Sequence, residues 1–180
     1  QKALIDIHGA EVFLFYYAGH GIQVDNENYI IPTEADPQDE YGIKRECFPI
    51  TELIDRYQGA YSDIPFVAVL DACRVNPFER KWSRSYGSGK GLSKMSTPTG
   101  SLIAFSTEYG TTAADGNKEN SDYALAFARV IGQPGLSIQE AFQEVRRLVL
   151  EASNHIQVPV EQNKLTAQLV LRQLPDLSER

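Results

Sequence analysis

Cysteine and histidine are scarce in this chain of 180 residues, which contains two cysteines and three histidines. Two cysteines are too few for a disulfide scaffold at this length. No apolar run approaches the roughly 20 residues that span a bilayer. These absences argue against a disulfide-stapled domain and a membrane-spanning helix. We therefore expect a cytoplasmic protein with no membrane partner.

Positive charge is in the minority and is concentrated in one stretch. Lysine and arginine number 17 against 24 acids, a net charge of −7, which argues against non-specific nucleic-acid binding. Six cations and a single acid lie between Arg74 and Lys94, so the rest of the chain carries a net charge of −12. The stretch is rich in glycine and serine and has no hydrophobic period. We predict a basic flexible loop over 74–100, with a solvated linker as the alternative to a functional loop.

The remaining sequence is typical of one globular α/β domain over 1–180, since 42% of the residues are hydrophobic. Short apolar runs predict strands over 11–18, 65–72 and 101–106, and two extended runs predict a hairpin over 21–32. Helical spacing predicts helices over 50–58, 123–131 and 137–152, and a last strand is expected over 168–171. Ser121 or Asp122 and Ser137 are the expected helix caps, with Glu140 completing a capping box. Continuous apolar strands separated by helices indicate a mostly parallel sheet covered on both faces.

Two of the predicted strands end in reactive residues. The first is followed by Gly19-His20-Gly21, and the second by Asp71-Ala72-Cys73-Arg74. Parallel strands end at the same edge of a sheet, where ligands bind in folds of this class. We therefore expect His20 and Cys73 to meet there, although 53 positions separate them in the sequence.

A cysteine beside a histidine can perform acyl transfer. The imidazole takes the thiol proton during attack and then gives a proton to the departing amine. The site also needs backbone N–H groups that stabilise the oxyanion, and those of Gly21 and Cys73 are the candidates. The glycine would let the backbone approach a ligand closely.

Simpler interpretations of these residues also exist. A lone cysteine at a strand end is usually a small buried apolar residue, and Cys47 fits that description well. A histidine beside glycine is usually structural. The histidines and cysteines show no spacing typical of a zinc site, so no metal is predicted. A Cys47–Cys73 disulfide would require an oxidising compartment that nothing in the sequence indicates.

Two segments together favour the catalytic interpretation. Tyr16-Tyr17-Ala18-Gly19-His20-Gly21, followed about 50 residues later by Leu70-Asp71-Ala72-Cys73-Arg74, resembles the caspase-like cysteine proteases. The likeness is strongest to the prokaryotic caspase homologues, which are related to metacaspases and paracaspases. It extends over about residues 10–171 and includes Asn28-Tyr29-Ile30-Ile31-Pro32 and Asn76-Pro77-Phe78. The resemblance implies that Cys73 is the nucleophile and His20 the general acid–base. It also implies a caspase-type three-layer sandwich, with a six-stranded sheet whose last strand is antiparallel.

The same resemblance implies a preference for basic substrates. True caspases have glutamine two residues before the cysteine, whereas this chain has Asp71, as metacaspases and paracaspases have an acid there. A carboxylate in a narrow pocket pairs with a guanidinium and repels an aspartate. Asp115 matches an acidic pocket residue of the paracaspases in rough position. The alternatives are a carboxylate bound to nearby backbone N–H groups for Asp71, and an ordinary Asp-Gly turn for Asp115.

The predicted basic loop corresponds to the segment that is often cut when members of this family are activated. A protease that prefers basic residues could cut its own chain there, and we expect regulation by such processing. The candidate positions are Arg80, Lys81, Arg84, Lys90 and Lys94.

The family resemblance leaves several expectations open. Members normally have an initial strand and helix, and 1–9 looks like the tail of that helix, so we expect an N-terminally incomplete domain. Its partners would be a protein or peptide substrate with a basic P1 residue, and a regulatory domain or subunit or a separate chain that supplies the missing segment. No cofactor is predicted, and the acids of 34–40 are spaced differently from the calcium-associated run of metacaspases. The alternatives to a protease are a catalytically silent caspase-like interaction module and a cysteine hydrolase or acyltransferase on another α/β fold.

Overall fold

The computed structural model describes residues 7, 9–73, 92, 94–108 and 120–174, and for Cys73 the main chain. Within these ranges the chain forms six strands and four helices. In chain order they are β1 (Phe13–Val24), β2 (Glu27–Ile30), α1 (Glu40–Glu46), β3 (Phe48–Pro49), α2 (Ile50–Tyr61), β4 (Phe66–Cys73), β5 (Ser101–Phe105), α3 (Asp122–Ile131), α4 (Ile138–Ala152) and β6 (Val160–Asn163).

The strands form one mixed sheet in the order β3-β2-β1-β4-β5-β6. β1, β4 and β5 are parallel to one another and occupy the centre. β2 pairs with the second half of β1, β3 pairs with β2, and β6 pairs with β5, all antiparallel. The carboxyl ends of β4 and β5 therefore lie at one edge, beside the middle of β1.

Helices cover both faces of this sheet, as the apolar strands predict. Alternate residues of β4 point to opposite faces. Val67 and Val69 belong to a core cluster with α3 and α4, whereas Ala68 and Leu70 belong to a cluster with α2. The result is the expected three-layer α/β sandwich. None of the described helices has the length and apolar character needed to cross a membrane.

The predicted helices and the hairpin are confirmed, with small changes at their ends. Ser121 caps α3, and Ser137 caps α4 in a capping box with Glu140. The predicted helix over 50–58 extends to Tyr61. The hairpin turns at Asp25 and Asn26, whose φ values of 51° and 65° lie in the left-handed region that asparagine and aspartate tolerate.

The first and last strand assignments differ from the structure, and β3 was not predicted. The first strand does not stop before Gly19 but continues to Val24, because its second half pairs with β2. The prediction of a last strand over 168–171 is wrong: this segment forms one isolated bridge, between Ser137 and Val170. The last strand is β6, whose sequence Val-Glu-Gln-Asn lacks an apolar run and so gave no signal.

The end of the predicted basic loop was expected to be exposed, but several of its side chains are buried. Leu92, Met95 and Thr97 are buried. The first two pack with α2 and the sheet, and the Thr97 hydroxyl donates to Gln162 Oε1 at 2.8 Å. Residues 74–91 and 93, and the predicted helix tail apart from residues 7 and 9, lie outside the described residues.

Candidate active site

His20 and Cys73 are neighbours across two adjacent strands. In the parallel register of β1 and β4, the partner of His20 is Cys73, and the partner of Ala18 is Asp71. Strands paired in this way lie about 4.8 Å apart. His20 is exposed at the sheet edge. The expectation that these two positions meet is therefore confirmed for their main chains, although His20 lies within a strand rather than beyond its end.

The main chain at His20 is held by a tyrosine hydroxyl. Tyr17 donates to the carbonyl oxygen of His20, at 2.8 Å, and its oxygen also accepts from the Ile31 N–H at 3.3 Å. The Ile31 N–H donates to the same His20 carbonyl at 3.1 Å. Burial raises the pKa of Tyr17, which keeps the hydroxyl protonated. Sequence reasoning assigned no role to Tyr17, although it lies within the histidine motif.

A side chain at either neighbour of His20 would crowd another side chain. A Cβ at Gly19 would lie 2.7 Å from the Tyr17 hydroxyl oxygen. A Cβ at Gly21 would lie 2.7 Å from Cδ2 of Leu92. The Leu92 side chain, near the end of the basic stretch, thus lies against Gly21.

Asp71 is a nearly buried carboxylate with hydroxyl partners. Its side chain accepts from the Tyr16 hydroxyl at 3.2 Å and from the Ser121 hydroxyl, both on Oδ2. The residue is 7% exposed. The alternative in which backbone N–H groups bind this carboxylate is wrong for the described residues, since the donors are side chains. Burial, and after it the Asp71 carboxylate, raises the pKa of Tyr16 above its ordinary value.

Other proposed site residues lie outside the described part of the chain. These are Asp115, Arg80, Lys81, Arg84 and Lys90. Lys94 is described and exposed, but it lies between the buried Leu92 and Met95.

Cys47 is a small buried apolar residue, as predicted. It is a free thiol, so no Cys47–Cys73 disulfide exists. It packs with Ile22, Val24 and Ile43 at the hairpin. Burial raises its pKa to about 11, so Cys47 is a poor nucleophile near neutral pH.

One of the acids of 34–40 has a structural role. Asp39 caps α1 and accepts from the Gly42 N–H at 2.7 Å. In the described part of the chain, no group of three or more histidine, cysteine, aspartate or glutamate side chains is arranged to hold a metal ion.

The fold is that of a caspase-like protein. The family model of the caspase domain matches residues 5–170, so the chain belongs to the caspase domain family. No curated protein matches the chain by sequence. Among solved structures, it is similar to the Drosophila initiator caspase Dronc at a TM-score of 0.60 and 10% identity. That alignment covers 91% of this chain and 57% of the Dronc chain, and at this identity the likeness shows the fold alone.

Proposed function

We propose that the protein is a cysteine endopeptidase that cleaves after arginine or lysine. The observation that carries the proposal is the β1–β4 register, which makes His20 the partner of Cys73 in a chain of the caspase family. A caspase-like protease acts on protein substrates, and the residues of this edge supply the groups that peptide-bond hydrolysis needs.

In the proposed mechanism, His20 takes the thiol proton as the Cys73 sulfur attacks the scissile carbonyl carbon. The backbone N–H groups of Gly21 and Cys73 stabilise the negative oxygen of the tetrahedral intermediate. His20 then gives its proton to the leaving amine as the C–N bond breaks, which leaves a thioester. Water attacks the thioester with His20 as the base, and the free carboxylate and thiol are released.

Asp71 supports the preference for a basic residue at the position before the cut. It lies two residues before Cys73 on the same strand and is nearly buried. The ion pairs found among the described residues do not include it. Because a buried charge is stabilised by a partner of opposite sign, a cationic substrate side chain fits this site and an anionic one does not. We propose that Asp115 contributes a second carboxylate.

We further propose that cleavage of the basic stretch regulates the enzyme. A protease with this specificity would recognise the cluster of cations that follows its own nucleophile. The cut would fall after Arg80, Lys81, Arg84, Lys90 or Lys94. The regulatory partner would be another domain, a subunit or a separate chain.

The catalytic assignment is tested by hydrolysis of a fluorogenic peptide that ends in arginine. The assay contains a chelator, because the proposal invokes no cofactor. We expect Cys73→Ala and His20→Ala to lose at least about 1,000-fold in turnover, as removal of a nucleophile or its base usually does. Cys47→Ala is the matched control and should retain activity, because this buried thiol lies outside the site.

The same assay separates the proposal from the alternative. Absence of turnover by the wild-type chain, before and after limited proteolysis within 74–94, would favour the catalytically silent interaction module. Turnover that survives Cys73→Ala would contradict the proposed nucleophile.

A further inference from the structure

Among the described residues, the Asp71 carboxylate has its hydrogen bonds on one oxygen. Both hydroxyls that contact it, those of Tyr16 and Ser121, donate to Oδ2. An ionised carboxylate has about four acceptor positions, two on each oxygen. Two donors on Oδ2 therefore satisfy that oxygen and leave the acceptor capacity of Oδ1 for another group.

We propose that Tyr16 and Ser121 are positioning residues that hold Asp71 with Oδ1 directed to the basic side chain of the substrate. This inference rests on the proposed function and extends it to two residues that do not touch the substrate. Their role is to fix the carboxylate before the substrate arrives, which lowers the entropy lost on binding.

Both hydroxyls are themselves fixed by the fold. The Tyr16 ring stacks on Phe127 of α3, with ring centroids 5.4 Å apart and an interplanar angle of 27°. The Ser121 oxygen accepts from the Ala124 N–H at 2.9 Å as the N-cap of α3. Asp71 on β4 is thus tied to β1 through Tyr16 and to α3 through Ser121. A donor whose own position is constrained can constrain the carboxylate that it contacts.

Unused hydrogen-bonding capacity is concentrated around the same carboxylate. In the described part of the chain, the two buried side-chain oxygens without a hydrogen-bond partner are Ser106 Oγ and Tyr123 Oη. The Ser106 N–H donates to the Leu70 carbonyl at 3.1 Å, which places Ser106 beside Asp71. Tyr123 is near enough for Asp71 to raise its pKa, with burial as the larger cause. Hydroxyl oxygens accept as well as donate, so this neighbourhood suits a bound ammonium or guanidinium.

The experiment compares Tyr16→Phe and Ser121→Ala with the wild type on an arginine-ended fluorogenic peptide. We expect KM to rise about tenfold or more in each variant, because the carboxylate loses one of the two donors that hold it. We expect kcat to stay within about twofold, because the catalytic dyad is untouched. The rate at which iodoacetamide alkylates Cys73 should also stay unchanged, since this reagent carries no basic side chain.

Two control variants remove the same kinds of group, a tyrosine hydroxyl and a serine N-cap hydroxyl, at positions away from Asp71. Tyr41→Phe deletes a hydroxyl from a residue that is 78% exposed on α1. Ser137→Ala removes the N-cap hydroxyl of α4 and costs a similar amount of helix stability. Neither should change KM. Ser121→Thr keeps a hydroxyl at the cap and should restore a KM close to that of the wild type.

The outcomes separate this inference from the proposed function. If the wild type hydrolyses the arginine peptide and both variants keep its KM, the positioning role is wrong and the proposed function stands. If the variants lose kcat and the alkylation rate together, or Ser137→Ala raises KM as much as Ser121→Ala does, the role is structural and the inference also fails. If the wild type shows no Cys73-dependent turnover, the proposed function itself is wrong.

Discussion

The hydroxyl of Tyr17 donates to the main-chain carbonyl of His20 at 2.8 Å. This bond lies where β1 ends its parallel pairing with β4 and begins its antiparallel pairing with β2. The same hydroxyl oxygen also accepts from the N–H of Ile31, which follows the hairpin. The Tyr17 side chain therefore links β1, at the proposed acid–base residue, to the segment after β2. The main chain at His20 is thus tied to a side chain three residues earlier.

We predict that Tyr17→Phe lowers kcat by up to about tenfold and leaves KM within about twofold, because a hydrogen bond contributes about 0.5–1.5 kcal/mol. The ring is kept, so the core around it remains filled. Steady-state kinetics on the arginine peptide measure the effect, with Tyr41→Phe as the matched control. An unchanged kcat would show that the hydroxyl does not position His20.

We predict that Gly21→Ala and Leu92→Ala are coupled. A Cβ at position 21 would meet three side-chain carbons of Leu92, at 2.7, 2.9 and 3.1 Å, so Gly21→Ala should destabilise the protein by about 1–3 kcal/mol. Leu92→Ala removes those carbons and leaves a cavity. The double variant should be more stable than the sum of the single effects predicts, by about 1 kcal/mol or more.

Urea unfolding of the four proteins measures this coupling. Gly59→Ala is the control, because a Cβ there meets nothing within 4 Å and lies inside α2. It should stabilise the protein by up to about 1 kcal/mol. Strictly additive effects of Gly21→Ala and Leu92→Ala would mean that the two residues do not share this contact.

We predict that iodoacetamide at pH 7.5 labels Cys73 and spares Cys47. Burial favours the neutral thiol of Cys47 and raises its pKa to about 11, so its reactive thiolate forms only as the pH rises toward that value. Peptide mapping by mass spectrometry reads out the site. Cys73→Ala should show no label until the chain is unfolded or the pH is raised. Labelling of Cys47 in the folded protein at pH 7.5 would contradict its burial.

We predict that self-cleavage occurs after Arg80, Lys81, Arg84 or Lys90 in preference to Lys94. Lys94 is exposed, but Leu92 and Met95 on either side of it are buried, so that bond cannot enter an active site without local unfolding. Fragments of the expressed wild type and Cys73→Ala are mapped by mass. Intact chains in both, or a main cut after Lys94, would contradict the prediction.

The sequence was sufficient to predict the meeting of His20 and Cys73, because two apolar runs that end in reactive residues imply parallel strands with a common edge. The cap of α4 was predicted at Ser137 and that of α3 at Ser121 or Asp122, of which the structure has Ser121. β6 could not be predicted: three of its four residues are polar, and its position depends on the antiparallel partner β5. The strand predicted over 168–171 does not form. Its leucines pack on the core, which explains the apolar pattern, but the segment makes no ladder of strand hydrogen bonds.

The partners of Asp71 show a second limit of sequence reasoning. Tyr16 lies on β1, the strand paired with β4. Its contact with Asp71 could therefore be predicted once the register of the two strands is known. Ser121 follows Asp71 by 50 positions and reaches it only because α3 packs across that face of the sheet. No local pattern encodes such a contact, whereas the N-cap role of the same serine is local and was predicted.

The central claim is a Cys73-dependent protease whose carboxylate at Asp71 selects a basic residue. It is tested most directly by kcat/KM for two peptides, one ending in arginine and one in aspartate, with the wild type, Asp71→Asn and Cys73→Ala. We predict that the wild type prefers arginine by at least about 100-fold, and that Asp71→Asn lowers the arginine value about tenfold to 100-fold without lowering the aspartate value. A wild type that prefers the aspartate peptide, or an arginine preference that Asp71→Asn leaves intact, would contradict the account.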